Sequence, residues 1–446
     1  MSQKRPRQLA SGVCIAMVAL VLVACGQQYP NTTFTNNTDF NSDIYALWNR
    51  LLLLGTIVFV FVEALLLFTV FKFRRREGAP APRQTHGNAS LEIAWTIIPA
   101  LILAMIAVPT VKTIWKTQAP APAGAIVVQV IGHQWWWEFR YPQYGVVTAN
   151  ELYLPVGRTA SFELTTRDVL HSFWAPQLGG KRDLITNHTN LLWYTPRDSL
   201  AGSVFNGFCT EYCGSSHANM RLRVYTVTPA QFESWAAHQA NPAALSPAPA
   251  AAVNAPVPAK PAVNTASLAG GLTPPAPPPP APVGAVAATE GYVFPRDKLN
   301  AWNVPMTPFP TGSNEVKFDD SLLAQGDAAR GHELVGNMAN MSKAPCLTCH
   351  IIKGEYPGVL KNDDMAKAPN LTHFATRHTF AGGVYNTDAR TLARWVKNAP
   401  HMKPGSLMPT LGLGEYNPDP LVRKIMATGL DDRQIADIVA YLMSLK

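Results

Sequence analysis

Two clusters of sulfur and imidazole side chains stand out in the 446-residue chain. The first reads Cys209-Thr-Glu211-Tyr-Cys213-Gly-Ser-Ser-His217-Ala-Asn-Met220. It puts two thiolates, an imidazole and a thioether within a dozen residues. Soft sulfur combined with imidazole suits copper, and thioether ligation argues against zinc. Two Cys four apart on a turn can aim both sulfurs at one site. One more imidazole would complete a two-metal cluster, and His171, in Leu170-His171-Ser-Phe-Trp174, is the candidate. A zinc site or a redox dithiol is the competing reading of the Cys pair. The second cluster, Cys346-Leu-Thr-Cys349-His350, has the spacing of c-type haem attachment, in which both thiols add to haem vinyls and the adjacent imidazole ligates iron.

Such chemistry needs an exported scaffold, and the N-terminus carries an export signal. Lys4, Arg5 and Arg7 precede an apolar run from Val13 to Val23 that holds Cys14 and is too short to span a bilayer comfortably. The run ends Leu22-Val23-Ala24-Cys25-Gly26, which resembles the bacterial lipoprotein box and implies cleavage before Cys25 and lipidation of its sulfur. Two longer apolar runs follow, about Leu51 to Phe71 and Ile93 to Val111, predicting membrane helices over roughly 49–72 and 92–114. Lys72, Arg74, Arg75, Arg76 and Arg83 between them place that loop in the cytoplasm, so everything after Trp115 lies outside. Glu63, inside the first run, is costly against lipid and is expected to face a partner helix.

The charged fraction of 15% is low and agrees with membrane segments. The net charge of +8 is dispersed or flanks the apolar runs, which excludes a nucleic-acid stripe. Residues ~125–230 alternate apolar and polar between Gly, Pro and Asn, the pattern of a small β-sandwich or barrel. Residues ~240–288 are almost all Ala, Pro, Val and small polar residues, a composition that buries no core and makes a tether. From ~318 the period is helical. Asp388 to Lys397 reads as one helix, and Asp431 with Gln434 caps another whose face is Ile435, Ile438, Val439 and Leu442.

The 209–220 cluster with His171 closely resembles the CuA site of cytochrome c oxidase subunit II. The resemblance implies a cupredoxin-like Greek-key domain in which Cys209 and Cys213 bridge two coppers. His171 and His217 each take one copper, completed by Met220 and the Glu211 backbone carbonyl. It also offers Glu211 to a Mg ion at the subunit I boundary. Gly132-His133-Gln134-Trp135-Trp136-Trp137-Glu138-Phe139 resembles the family's aromatic segment and gives Trp135 the role of receiving electrons. Trp136 and Trp137 are expected to be packing residues. Glu92-Ile-Ala-Trp95-Thr-Ile-Ile-Pro99 is similar to the family's second helix, which puts Glu92 at the mouth of a proton path. One departure is Ile185-Thr-Asn-His188-Thr-Asn, where mitochondrial-type chains have a Pro-Gly-Arg turn.

Lys403-Pro404-Gly405-Ser-Leu-Met408-Pro409 resembles the distal loop of class I cytochromes c and implies Met408 as the second iron ligand, with Met402 as its rival. Tyr441 and Leu442 are expected beside the haem. The expected layout is a lipoprotein-type signal (1–24), an N-terminal segment with a two-helix transmembrane hairpin (25–118), an all-β copper domain (119–235), a Pro/Ala-rich linker (236–317) and an all-α cytochrome c domain (318–446). Copper domain, tether and haem domain in that order resemble a caa-type oxidase in a bacterial inner membrane. The implied partners are subunits I and III, membrane lipid, and a soluble or membrane cytochrome c or other electron donor. On this reading the tethered haem is the immediate donor to copper. The alternatives are a membrane-anchored electron carrier, or the CuA subunit of a nitric oxide or nitrous oxide reductase.

Overall fold

The computed structural model describes residues 31–75, 77–78, 86–243, 291–299, 316–340, 342–354, 360, 363–418 and 429–446. The signal segment with Cys14 and Cys25, Arg76, Arg83 and most of the Pro/Ala-rich stretch lie outside the described residues.

Two long helices come first, α1 (Asp39–Phe73) and α2 (Ala89–Gln118). Their apolar side chains from Leu52 to Phe73 and from Leu91 to Trp115 stay exposed on the protein, as a lipid-facing surface requires. α1 begins about ten residues before the apolar run. Thr38 caps it by accepting from the Asn41 amide at 3.1 Å. Its polar first turns dock on the β-domain, where Asn41 Nδ2 donates to the Pro176 carbonyl (3.0 Å) and Asp39 accepts from the Thr195 amide (2.9 Å). Hydrophobicity marks the part that meets lipid, whereas capping and docking set where the helix starts. The outer end of α2 is held in the same way, by Trp193 Nε1 donating to the Ala119 carbonyl (2.7 Å).

The β-domain is a sandwich of ten strands: β1 (Ile126–His133), β2 (Trp136–Tyr141), β3 (Val146–Ala149), β4 (Glu151–Pro155), β5 (Ala160–Thr166), β6 (His171–Trp174), β7 (Arg182–Leu184), β8 (Asn190–Tyr194), β9 (Ser203–Cys209) and β10 (Arg221–Val227). They form one sheet ordered β3-β2-β1-β5-β8 and another ordered β4-β10-β9-β6-β7, with β1–β5 and β4–β10 parallel. In β5 every second residue is buried, so Phe162 and Leu164 face the opposite sheet. Trp137 lies edge-on to Phe173 at 5.6 Å within this core, as packing alone would have it.

Helix α3 (Pro229–Ala240) closes one end of the sandwich. A capping box of Thr228 and Gln231 starts it, and its Trp235 stacks on Tyr153 at 4.5 Å. Residues 291–299 then return to the sandwich, with Tyr292 and Phe294 buried and Phe294 packed against Tyr225 at 4.8 Å. The sequence reading left this segment, and the end of α3, in the linker. Its two aromatic side chains find a pocket that only the folded β-domain provides.

The C-terminal region is built on α4 (Ala328–Gly336), α5 (Ala389–Met402) and α6 (Asp432–Leu442). Both halves of the Asp431–Gln434 capping box form. α4 crosses α6 at Gly331, where a side chain would strike the Asp437 carbonyl, and Arg330 pairs with the buried Asp437 at 2.8 Å. α5 breaks at Asn398, ahead of Pro400, and delivers the chain into the Lys403–Pro409 loop. A small hairpin, β11 (Thr379–Phe380) and β12 (Tyr385–Asn386), projects its tip at the β-domain. Gly382, at φ 77°, sits there so tightly that a Cβ would lie 2.6 Å from the Trp135 carbonyl oxygen.

Candidate metal centres

The first site sits where β6 begins and β9 ends. The Cys209 amide donates to the Met220 carbonyl (3.0 Å) and the Thr210 amide to the Ser172 carbonyl (2.9 Å). These bonds lock the 210–220 loop to β6 and β10. His171, Cys209, Cys213 and Met220 are all buried. The sulfurs of Cys209 and Cys213 are 3.7 Å apart. His171 Nδ1 lies 3.8 Å from Cys209 Sγ, and His217 Nδ1 lies 3.5 Å from Cys213 Sγ. Met220 Sδ is 3.9 Å from Cys213, and the Glu211 carbonyl is 3.3 Å from Cys209, while the Glu211 side chain is exposed. Donor atoms this close are the edges of coordination polyhedra with bonds of ~2.0–2.3 Å. The hydrogen bond from Cys213 holds the Cys209 thiol well below the ordinary thiol range, which favours the thiolate that a metal needs. The donor set, sulfur-rich with two imidazoles and a thioether, fits a pair of coppers.

Asp168 orients this cluster. Its Oδ1 accepts from His171 Nε2 at 2.8 Å, which turns Nδ1 toward the sulfurs. The Gln134 amide, in the turn between β1 and β2, donates to the other Asp168 oxygen at 2.7 Å.

The second site is a cavity of about 370 Å³ lined by Cys346, Cys349, His350 and Met408, with Ile438 and Leu442 of α6 in its wall. His350 Nδ1 donates to the Pro369 carbonyl at 2.7 Å, leaving Nε2 free for a metal. Burial, and after it the nearby Arg377 charge, hold its pKa below the usual imidazole value, which keeps the ring neutral for ligation. Arg377 also lines the cavity, and its Nε is buried with no hydrogen-bond partner among the described residues. A haem fits these features: thiols for the vinyls, an imidazole and a thioether for the iron, and a guanidinium for a propionate. Met408 borders the cavity. Met402 is fully buried in α5 and its carbonyl accepts from Tyr385 (2.7 Å). Tyr441 is fully buried and packs against His332 (5.3 Å).

The two sites share a wall. Gln134, Trp135, Trp136 and Asn150 of the β-domain all line the second cavity. Trp135 also reaches the first site, its Nε1 donating to the Cys213 carbonyl at 2.9 Å. Trp136, expected only to pack, stacks on His133 at 4.2 Å and faces the cavity. Glu92 is brought to neither site. It is exposed in the first turn of α2, at the end of that helix away from the β-domain.

Comparison with known proteins gives these sites a family. Residues 34–113 match the transmembrane domain of cytochrome c oxidase subunit II, residues 146–227 its periplasmic domain, and residues 328–446 cytochrome c. Cytochrome c oxidase subunit 2 of Bacillus subtilis is 35% identical over 242 residues, 51% of this chain and 67% of the relative. The probable subunit 2 of Rickettsia bellii is 31% identical over 216 residues, 44% of this chain and 78% of the relative. The chain belongs to the cytochrome c oxidase subunit II family. Subunit 2 of Alkalihalophilus pseudofirmus is 38% identical over 185 residues, 40% of this chain, and the match spans only 53% of that relative's length. The subunit II periplasmic domain implies copper and the cytochrome c domain implies haem. The helix hairpin marks a membrane-anchored member of the family.

In this subunit II chain, sequence reasoning missed the residues at the boundary between the two centres. Glu151 on β4 is buried and accepts from the His378 amide (2.8 Å), the Thr379 amide (2.8 Å) and the Thr379 hydroxyl (3.2 Å) of the cytochrome domain. Arg140 pairs across the boundary with Asp364. Lys403, fully sequestered, donates to the Trp135 carbonyl at 2.6 Å. Nothing in local spacing marks Glu151 or Arg140. Lys403 stands inside the quoted distal-loop motif, but its target lies 268 residues away.

Proposed function

We propose that this chain is subunit II of a bacterial terminal oxidase that takes electrons through its own c-type haem and hands them through dinuclear CuA to a haem-copper oxygen-reducing site in subunit I. The observation that carries this reading is the wall the two centres share: Trp135 and Gln134 both line the haem cavity and both donate to the Cys213 carbonyl, at 2.9 and 2.7 Å. Bound haem and copper would supply the one-electron redox chemistry. Cys346 and Cys349 would hold the haem covalently, with His350 and Met408 on the iron. His171, Cys209, the Glu211 carbonyl, Cys213, His217 and Met220 would hold two coppers. Paired strands, and a short loop bonded to them, would hold the copper ligands in one geometry in both redox states, and a fixed geometry lowers the reorganisation that each electron transfer needs.

The remaining assignments follow the same reading. The hairpin seats the chain in the inner membrane against subunits I and III, with both redox domains on the outer side. Glu92, at the opposite end of α2, serves proton uptake coupled to oxygen reduction, and Cys25 carries lipid. Glu211, exposed beside the copper pocket, is available to a Mg ion shared with subunit I. An external cytochrome or other donor reduces the haem.

Electron paramagnetic resonance of the oxidised full chain, matured with haem and copper, tests this. A multi-line copper signal from one electron shared over two nuclei, beside low-spin haem, is the expected result. A mononuclear copper signal in a copper-replete chain would overturn the ligand assignment.

A further inference from the structure

The boundary between the two domains contains a group whose cost demands a reason. Lys403 is buried, and an apolar side chain of the same length would sit there without desolvating an amine. Its Nζ is shared between two backbone carbonyls, one from each domain: Trp135 at 2.6 Å and Ala381 at 2.9 Å. Trp135 lies in the turn between β1 and β2, outside both strands, so no sheet partner fixes its carbonyl. The next two residues of the loop press on the same spot. The Pro404 carbonyl accepts from the buried Ser216 hydroxyl at 2.5 Å, and a Cβ on Gly405 would lie 2.6 Å from the Trp135 ring. Met408 follows in the cavity wall. One short loop therefore carries a haem-facing residue at one end and grips the indole next to the copper pocket at the other.

We propose that Lys403 is a positioning residue for haem-to-copper electron transfer, holding the Trp135 turn so that its indole stays seated between the haem cavity and the Cys213 carbonyl. The proposal rests on the functional reading above. With both cofactors bound, one electron would pass from haem to copper with no bond formed or broken; Lys403 also lines the haem cavity but is not among the proposed ligands of either metal. Burial pushes the Lys403 amine down to about 7, and both protonation states keep hydrogens for the two carbonyls. Glu151 grips the β11–β12 hairpin at a separate place, so it holds the domains together without touching Trp135.

The test uses the full chain loaded with haem and copper, with the haem reduced by a radiolytic pulse and its reoxidation by copper followed optically. Lys403→Met keeps the length of the side chain and removes the donor. The expected result is intact copper and Met-ligated haem spectra with transfer slowed by about tenfold to a hundredfold, the scale on which a misplaced geometry acts. Lys403→Gln, shorter but with an amide donor, should lose less and stands in if the Met variant fails to take up its cofactors. Hydrogen exchange of the copper-free, haem-loaded chain is the second readout. Lys403→Met should speed exchange at residues 134–136 and leave the amides of His378 and Thr379, held by Glu151, unchanged. Transfer at the wild-type rate in Lys403→Met with both spectra intact, or a loss in Lys403→Gln as large as in Lys403→Met, overturns the proposal; where Lys403→Gln stands in alone, unchanged exchange at residues 134–136 together with a wild-type rate overturns it. Absence of the two spectra in the wild-type chain would overturn the functional reading instead.

Discussion

The copper pocket and the haem cavity are held in opposite ways. Around the first, the ends of β6 and β9 and one short loop bring every donor atom within 3.3–3.9 Å of a neighbouring donor, on a scaffold of paired strands. Around the second, short helices and loops surround about 370 Å³ of largely apolar space, and the β-domain supplies part of the wall. A small ion needs a few atoms at fixed positions, which a sheet provides. A large planar cofactor is itself a piece of the core, and the fold around it stays incomplete until it is there.

Removing each cofactor should expose this difference most sharply. Cys346→Ser with Cys349→Ser, which stops covalent haem attachment, leaves the largely apolar cavity without the group that fills it, and the residues around it lose those packing contacts. Hydrogen exchange over residues 328–446 should then rise across the domain, whereas stripping copper with a chelator should leave the β-sandwich protected. Equal loss of protection in both would break the comparison.

The boundary should respond to acid next. Burial pushes His373 down to about 4, with the His238 ring 4.6 Å away and Arg377 opposing its charge as well. Once opened, the site binds a proton near the ordinary value of 6.5 that the closed form rejects. Stability is therefore full above 6.5 and falls as pH drops toward 4, by roughly 1.4 kcal/mol per unit. His373→Gln should flatten the pH dependence of the cytochrome domain's thermal midpoint in that window. An unchanged slope would remove His373 as its cause.

Trp135→Leu should slow haem-to-copper transfer by about a hundredfold while both spectra persist, since a reacting geometry disturbed by an ångström acts on that scale. Transfer at full speed would mean that the shared wall is only packing. Asp168→Asn should weaken copper binding by about tenfold to a hundredfold, the usual cost of losing a group that orients a ligand. A competition titration against a chelator measures it. The smallest effect belongs to Glu92→Gln: both metal spectra should be unchanged, and proton uptake by the assembled oxidase should fall.

Much of this was legible in the chain because the information is local. Five of the six proposed copper donors fall between Cys209 and Met220, and the haem thiols and His350 sit within five residues. Each group lies on one loop, and a loop carries its own spacing wherever the fold puts it. The apolar runs announced the hairpin by length alone, and the Asp431–Gln434 pair announced the start of α6. The start of α1 was hidden because polar residues that dock on a protein look like residues that face water. Tyr292 and Phe294 were hidden inside a stretch whose composition reads as linker.

What the sequence determined by itself is which chemistry the chain carries: sulfur and imidazole at metal spacing, an attachment motif, two spans and an alternating β-region. What only the tertiary structure decided is where the two centres stand with respect to each other. Glu151 meeting the 378–379 amides, Lys403 meeting the Trp135 carbonyl and Trp136 turning to the haem cavity all join residues more than 200 positions apart. Such contacts depend on surfaces that exist only after each domain has folded, and no periodicity or spacing along the chain encodes the fit between two finished surfaces.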